Sequence, residues 1–202
     1  RQYVMARHSD ERGLLATVAR TFARAGALVS FNGKSFDAPV LETRYLFHRL
    51  EWIGARLPHL DVLHSARRFW GARVGAGHRP CSLVALEQQV LGARRVGDVP
   101  GAEIPARYFQ FVRSGDARPL AAVLEHNRLD LLSLAGLTAR LLQLVSAGPC
   151  AARDGREALA LGRVYWRAGL EARACEAYER AAGAFLADGV ASIAGTTASI
   201  AG

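Results

Sequence analysis

The 202-residue sequence predicts an α/β fold on three observations. A short apolar run, Ala27 to Phe31, lies between two segments of helical periodicity. A second strand-like run follows at Leu60 to His64, and strand and helix signals alternate through the first part of the chain. Taken in order, Gln2 to Ala6 reads as a strand entered in mid-stride, so upstream residues are expected to be missing. Ser9 caps a helix whose first turn holds Asp10 and Glu11, where the helix dipole favours acids. Leu14, Leu15, Val18, Ala19 and Phe22 form its apolar stripe, which ends at Gly26. Ala27 to Phe31 is a buried strand, and Asn32-Gly33 is the turn after it. Asp37 serves as N-cap of a second helix, Pro39 to about Leu50, with Leu41, Tyr45 and Leu46 apolar. Beyond the Leu60 to His64 strand, Gly71 to Pro80 is a flexible loop, and Ser82 caps a helix that Gly92 stops after Leu91. The turn-rich RRVGDVPGAEIP precedes a short helix from Pro105 to Val112. The longest helix, from Pro119 to about Val145, repeats leucine at helical spacing.

The composition is that of a globular protein, 50% apolar and 22% charged, and no apolar run approaches the roughly 18 residues of a membrane helix. A formal net charge of +8 favours a polyanionic partner such as nucleic acid or a lipid surface. Lys34 is the one lysine, and a GC-rich coding sequence is the better explanation of the arginine excess, so the positive charge is no more than suggestive. Cys81, Cys150 and Cys175 are far apart and in no metal-ligand spacing, so no zinc site is expected and the thiols are expected reduced in a cytoplasmic protein.

Two clusters carry chemistry. Asn32-Gly33-Lys34-Ser35-Phe36-Asp37 stands between a strand and a helix, the junction where open α/β sheets build sites. The same residues also suit a turn, a cap and a core aromatic. In the longest helix, His126 and Asp130 are four apart and share a face at the edge of the apolar stripe. They are either a site or an i,i+4 surface pair. Asp61, with His59 and His64 nearby, reads as a structural strand-end residue. Arg67-Arg68, Arg94-Arg95, Arg107, Arg113 and Arg118 are candidate phosphate contacts.

NGKSFDAPVLETR resembles the second motif of the DEDD superfamily of 3′–5′ exonucleases, and HNRLD resembles its third. The run from NGKSFD through LDVLHSARRFW, CSLVALEQQVLG, DVPGAEIP and LEHNRLDLLSL is similar to the YprB-like ribonuclease H-like domain over roughly Gln2 to Val145. This resemblance implies a mixed sheet flanked by helices and metal-dependent 3′–5′ exonucleolytic hydrolysis of nucleic acid, at single-stranded or 3′ ends. It makes Asp37 and Asp130 metal-binding carboxylates and His126 the general base. Asn32, Lys34 and Phe36 would contact the nucleic acid, and the cofactor would be two Mg²⁺ or Mn²⁺ ions. The superfamily's first motif, an Asp-x-Glu on the first strand, has no match here. Asp10-Glu11 are adjacent rather than alternate, and an N-terminally truncated, inactive domain is therefore expected. The rival reading is a non-catalytic nucleic-acid-binding module; a structural adaptor, with both motifs as caps and surface pairs, is the weaker third.

After Gly148-Pro149, Glu157 to Ala184 reads as two helices joined at Gly169. Leu161-Gly162, Tyr165, Gly169, Ala174, Tyr178 and Ala181-Ala182 resemble a tetratricopeptide repeat, which would recruit a protein partner. The expected organisation is a partial ribonuclease H-like domain at 1–147, a tetratricopeptide-like hairpin at 150–185, and a disordered tail at 186–202, with no membrane partner.

Overall fold

Parallel strands cannot be joined by a tight turn, so a strand that pairs in parallel with the next must send the chain away through a crossover, usually a helix. That unit organises the first part of the chain. The computed structural model describes residues 1–74 and 81–200. Helix α1 (Glu11–Phe22) leads to strand β1 (Leu28–Ser30), helix α2 (Asp37–Phe47) and strand β2 (His59–Asp61). The two strands pair in parallel with Leu28 opposite His59, Val29 opposite Leu60 and Ser30 opposite Asp61. Then come α3 (Val62–Val74), α4 (Leu83–Leu86), α5 (Ile104–Ser114), α6 (Arg118–Ala147), α7 (Gly155–Arg167) and α8 (Glu171–Ile200). The fold is mostly helical with a small parallel sheet.

Two compact units form. One comprises Arg1–His64 with Leu83–Gly136, the other Ser65–Ser82 with Leu137–Gly202. In the first, Leu15 of α1 and Tyr45 of α2 are buried, and the Tyr45 hydroxyl donates to the Leu15 carbonyl at 2.7 Å. Trp52 packs against Phe22 and Tyr45 with ring centroids 5.5 and 5.2 Å apart. Arg44 of α2 and His48 just after it both bind the Glu11 carboxylate, and the Arg44 contact is the principal reason its pKa falls to about 2.

In the second unit, α7 and α8 form a helical hairpin turning at Gly169, whose φ of +71° is the left-handed conformation glycine adopts without strain. Alanines 158, 160, 174, 177 and 181 are buried. A Cβ at Gly162 would stand 2.6 Å from the Tyr178 ring, so glycine there is what lets the helices approach. Asp154 is the N-cap of α7, accepting from the Glu157 N–H at 2.8 Å. Glu157 is itself fully buried. It accepts from the Trp70 indole at 2.8 Å, from Arg140 at 2.7 Å and from the Arg153 N–H at 2.8 Å.

Several elements differ from the sequence reading, each for a local reason. Gln2 to Ala6 is not a strand. Its polar groups bond outside any sheet instead: Tyr108 donates to the Met5 carbonyl at 3.1 Å, and the Gln2 side chain bonds the Leu124 carbonyl and the Asn127 side chain. The strand expected at Leu60 to His64 stops at Asp61, because the Asp61 carboxylate accepts the Leu63 N–H at 3.1 Å and turns the chain into α3. Neither Ser9 nor Asp37 caps its helix. Asp10 and Phe36 hold those positions with no side-chain cap bond, and Asp37 is the first helical residue. The helix after Ser82 is α4 followed by a π-helical turn, Glu87–Leu91, ending at the left-handed Gly92. Residues 75–80 of the expected loop lie outside the described residues, whereas 71–74 belong to α3. Residues 186–200, expected to be disordered, continue α8, whose alanines favour helix propagation. By length and composition alone, α6 is apolar enough to cross a membrane, with a mean hydropathy of 1.3 over 18 residues. It is also a core helix, with Leu120, Leu137, Leu141 and Leu144 buried.

Candidate functional site

The loop after β1 is held from below by one carboxylate. Asp61, at the end of β2 and only 3% exposed, accepts from the Asn32 N–H at 2.8 Å with one oxygen and from the Lys34 N–H at 3.0 Å with the other. Burial raises its pKa, but the N–H groups of Lys34, Asn32 and Leu63 more than offset that and leave the carboxyl below its ordinary value. Asn32 takes a positive φ of 67°, which asparagine tolerates better than most residues. At Gly33 a Cβ would meet Ser30 at 2.5 Å, so only glycine lets the loop turn there. Ser30 and His59, one on each strand, are hydrogen-bonded at 2.7 Å. The loop consequently presents Asn32, Lys34, Phe36 and Asp37 to solvent, Phe36 being 67% exposed rather than core. Replacing Asp61 by alanine strands three N–H donors and is expected to cost about 2 kcal/mol. Asp37→Ala, which removes no hydrogen bond, should cost under about 0.5 kcal/mol by urea denaturation.

The second cluster is built around an arginine. The Arg95 side chain is 4% exposed, and its guanidinium donates to Glu87 through Nε at 2.8 Å, to Asp98 at 3.0 Å and to Asp130 at 2.8 Å. Glu87 is buried, as are Leu86 and Val90 of the same segment, and it also accepts the Ser133 hydroxyl. Burial raises the Glu87 pKa, while Arg95 and Ser133 outweigh it and hold the carboxyl below its usual value. Asp98 is likewise lowered against its burial by His126 and Arg95, and Arg95 is raised by its three acids despite burial. His126 Nδ1 lies 2.7 Å from Asp98, and its Nε2 lies 3.4 Å from the other oxygen of Asp130. An ionised Asp98 can only accept, so Nδ1 carries the proton that binds it and Asp98 orients the ring.

Residues 1–142 match the RNase_H superfamily. The chain belongs to the ribonuclease H superfamily. It is also 35% identical over 143 residues to the uncharacterized protein YprB of Bacillus subtilis (strain 168), which covers 68% of this chain and 32% of that protein. The chain thus spans about a third of the length of the relative it matches. No solved structure matches it.

Ribonuclease H-like nucleases typically use divalent metals, and the residues present here do not fit one. Among the described residues, no group of three or more His, Cys, Asp or Glu side chains is arranged to hold a metal ion. The acids of the second cluster converge on the Arg95 guanidinium instead, and one oxygen of Asp130 is bound to it. Asp37 stands apart as an exposed residue with no hydrogen bond or ion pair among the described residues. Asp37 is thus left open to solvent on its loop, whereas Asp130 is engaged by Arg95. Sequence reading paired His126 with Asp130 but missed Glu87, Asp98 and Ser133. Of the candidate phosphate contacts, Arg95, Arg107 and Arg118 are each bound to an acid, Arg107 to Glu103 at 2.9 Å and Arg118 to Asp116 at 2.7 Å. The signal for Glu87 was available, an isolated acid inside the apolar SLVALEQQVL.

Proposed function

We propose that this chain is the nucleic-acid-binding part of a 3′–5′ exonuclease, with hydrolysis withheld in the arrangement described. The observation that carries the reading is the ion pair between Arg95 and Asp130. A carboxylate that is to hold a hard divalent cation must present free oxygens to it, and here the guanidinium takes that place. Asn32, Lys34 and Phe36 bind the strand: a cation for phosphate and an exposed ring for a base. Asp37, His126 and Asp130 are the residues of this chain that would serve Mg²⁺- or Mn²⁺-dependent hydrolysis, with His126 as base. The α7–α8 hairpin, with its tetratricopeptide-like pattern, recruits a protein partner, and the protein works in the cytoplasm.

The second reading is an active metal-dependent exonuclease. It is favoured by the Asp98–His126 contact, which orients the imidazole as a general base requires. Binding separates the two. A labelled single strand is expected to bind equally in Mg²⁺ and in EDTA, with affinity falling steeply as salt rises. Binding that vanishes in EDTA would replace the first reading with the second.

A further inference from the structure

A basic concavity lies outside both motifs. A cavity of about 540 Å³ beside α1 is lined by Arg1, Tyr3, Thr17, Arg20, Thr21 and Arg24. It holds three guanidiniums, three hydroxyls and no carboxylate. In that it differs from the surroundings of Arg44, Arg95, Arg107, Arg118, Arg128 and Arg140, each of which is bound to an acid. Arg20 and Arg24 are exposed and make no ion pair among the described residues.

The groups are organised by local bonds. Arg20 donates to the Thr17 hydroxyl at 3.0 Å, and that hydroxyl donates to the Gly13 carbonyl at 2.9 Å. The Tyr3 and Thr21 hydroxyls are 3.2 Å apart. Residues 17, 20 and 21 share one face of α1 by their spacing, and Arg24, in the turn after it, lines the same cavity. A second cavity of about 630 Å³ adjoins the first through Tyr3 and Thr17, and includes Gln2, Ser9 and Asp10. The half-exposed Tyr3 therefore stands where two concavities meet.

We propose that this cavity beside α1 binds consecutive nucleotides of a single strand, with Arg20 and Arg24 on phosphates and the Tyr3 ring against a base. The inference rests on the nucleic-acid reading above and adds to it a subsite outside both motifs. A concave, acid-free cavity in the hundreds of Å³ suits a nucleotide and its phosphate. A lipid surface would be met by a flat or convex basic face. Guanidinium binds phosphate oxygens in pairs, and an aromatic ring stacks on any base, so the site recognises the backbone rather than the sequence.

The test is fluorescence anisotropy of a labelled oligothymidylate with the 202-residue chain over a salt series. Each phosphate contact on a single strand contributes about 0.7 to the slope of log affinity against log salt. The double variant Arg20→Ser/Arg24→Ser is expected to lower the slope by about 1.4 and weaken binding about tenfold at low salt. Tyr3→Leu should weaken binding and Tyr3→Phe should restore it. Arg167→Ser, at an exposed residue outside the cavity lining, should match the wild type. Unchanged affinity and slope in the double variant overturn the subsite and leave the nucleic-acid reading standing. A wild type that binds no oligothymidylate overturns both. Equal loss of binding to phosphatidylglycerol vesicles, with oligothymidylate binding intact, reassigns the face to a lipid surface and overturns the proposal.

Discussion

Glu157→Ala is expected to lower stability by about 3–5 kcal/mol, among the largest effects of any single substitution in the chain. Glu157 is fully buried, and three donors converge on it: the Trp70 indole, the Arg140 guanidinium and the Arg153 N–H. Removing the carboxylate leaves a buried guanidinium without its counter-ion and an indole N–H without an acceptor. Arg140 is already under-satisfied, since its Nε has no partner. Its charge therefore has little left to rely on beyond the Ala151 carbonyl and Gln143. Taking out both charges should cost much less than taking out the acid, because an apolar pair of similar volume needs no compensation. Urea denaturation of Glu157→Ala, Arg140→Met and the double variant reads this directly. A double variant no more stable than Glu157→Ala would show that the ion pair is not what the alanine disrupts.

Arg95→Met should cost a similar amount at neutral pH, about 3–5 kcal/mol, and for the converse reason. It leaves Glu87, Asp98 and Asp130 together without the cation they surround, with Glu87 buried. The pH dependence has a definite sign. In the wild type, the folded pKa values of Glu87 and Asp98 lie below their ordinary values. Their contribution is thus present above the unfolded carboxyl range and lost as pH falls through the folded values. Without Arg95, burial and mutual repulsion raise the same carboxyls. The variant then regains stability relative to wild type as pH falls through those raised values, so the gap between the two should narrow on acidification from pH 7 toward about 4.5. Denaturation midpoints at both pH values check it. The same variant frees Asp130, and Mn²⁺ binding measured by electron paramagnetic resonance should appear in Arg95→Met and disappear again when Asp130→Asn is added.

What was legible in the sequence is what depends on near neighbours. The β1 run, the Asn32-Gly33 turn, the α6 repeat and the Gly169 junction each declare themselves within a few residues. The second-motif loop was readable as a loop for the same reason. Its support was not: Asp61 reaches Asn32 and Lys34 across 29 and 27 positions, a contact that exists only once β2 pairs with β1. The third motif was half readable. His126 and Asp130 share a helix face by spacing alone, whereas Arg95 reaches Asp130 across 35 positions and Glu87 reaches Ser133 across 46. An arginine in a basic chain looks like a surface residue until folding surrounds it with acids. Gln2 to Ala6 failed in the opposite direction. It has the alternation of a strand, but a strand also needs a partner edge, and its backbone and side chains bond to Tyr108, Leu124 and Asn127 instead.

The most direct measurement is a time course of a 5′-labelled single strand with the 202-residue chain in Mn²⁺, run beside Asp130→Asn. With Asp130 held by Arg95, the strand should stay full length in both while remaining bound. A ladder of products shortened from the 3′ end, formed by the wild type and absent with Asp130→Asn, would contradict the account and establish an active exonuclease.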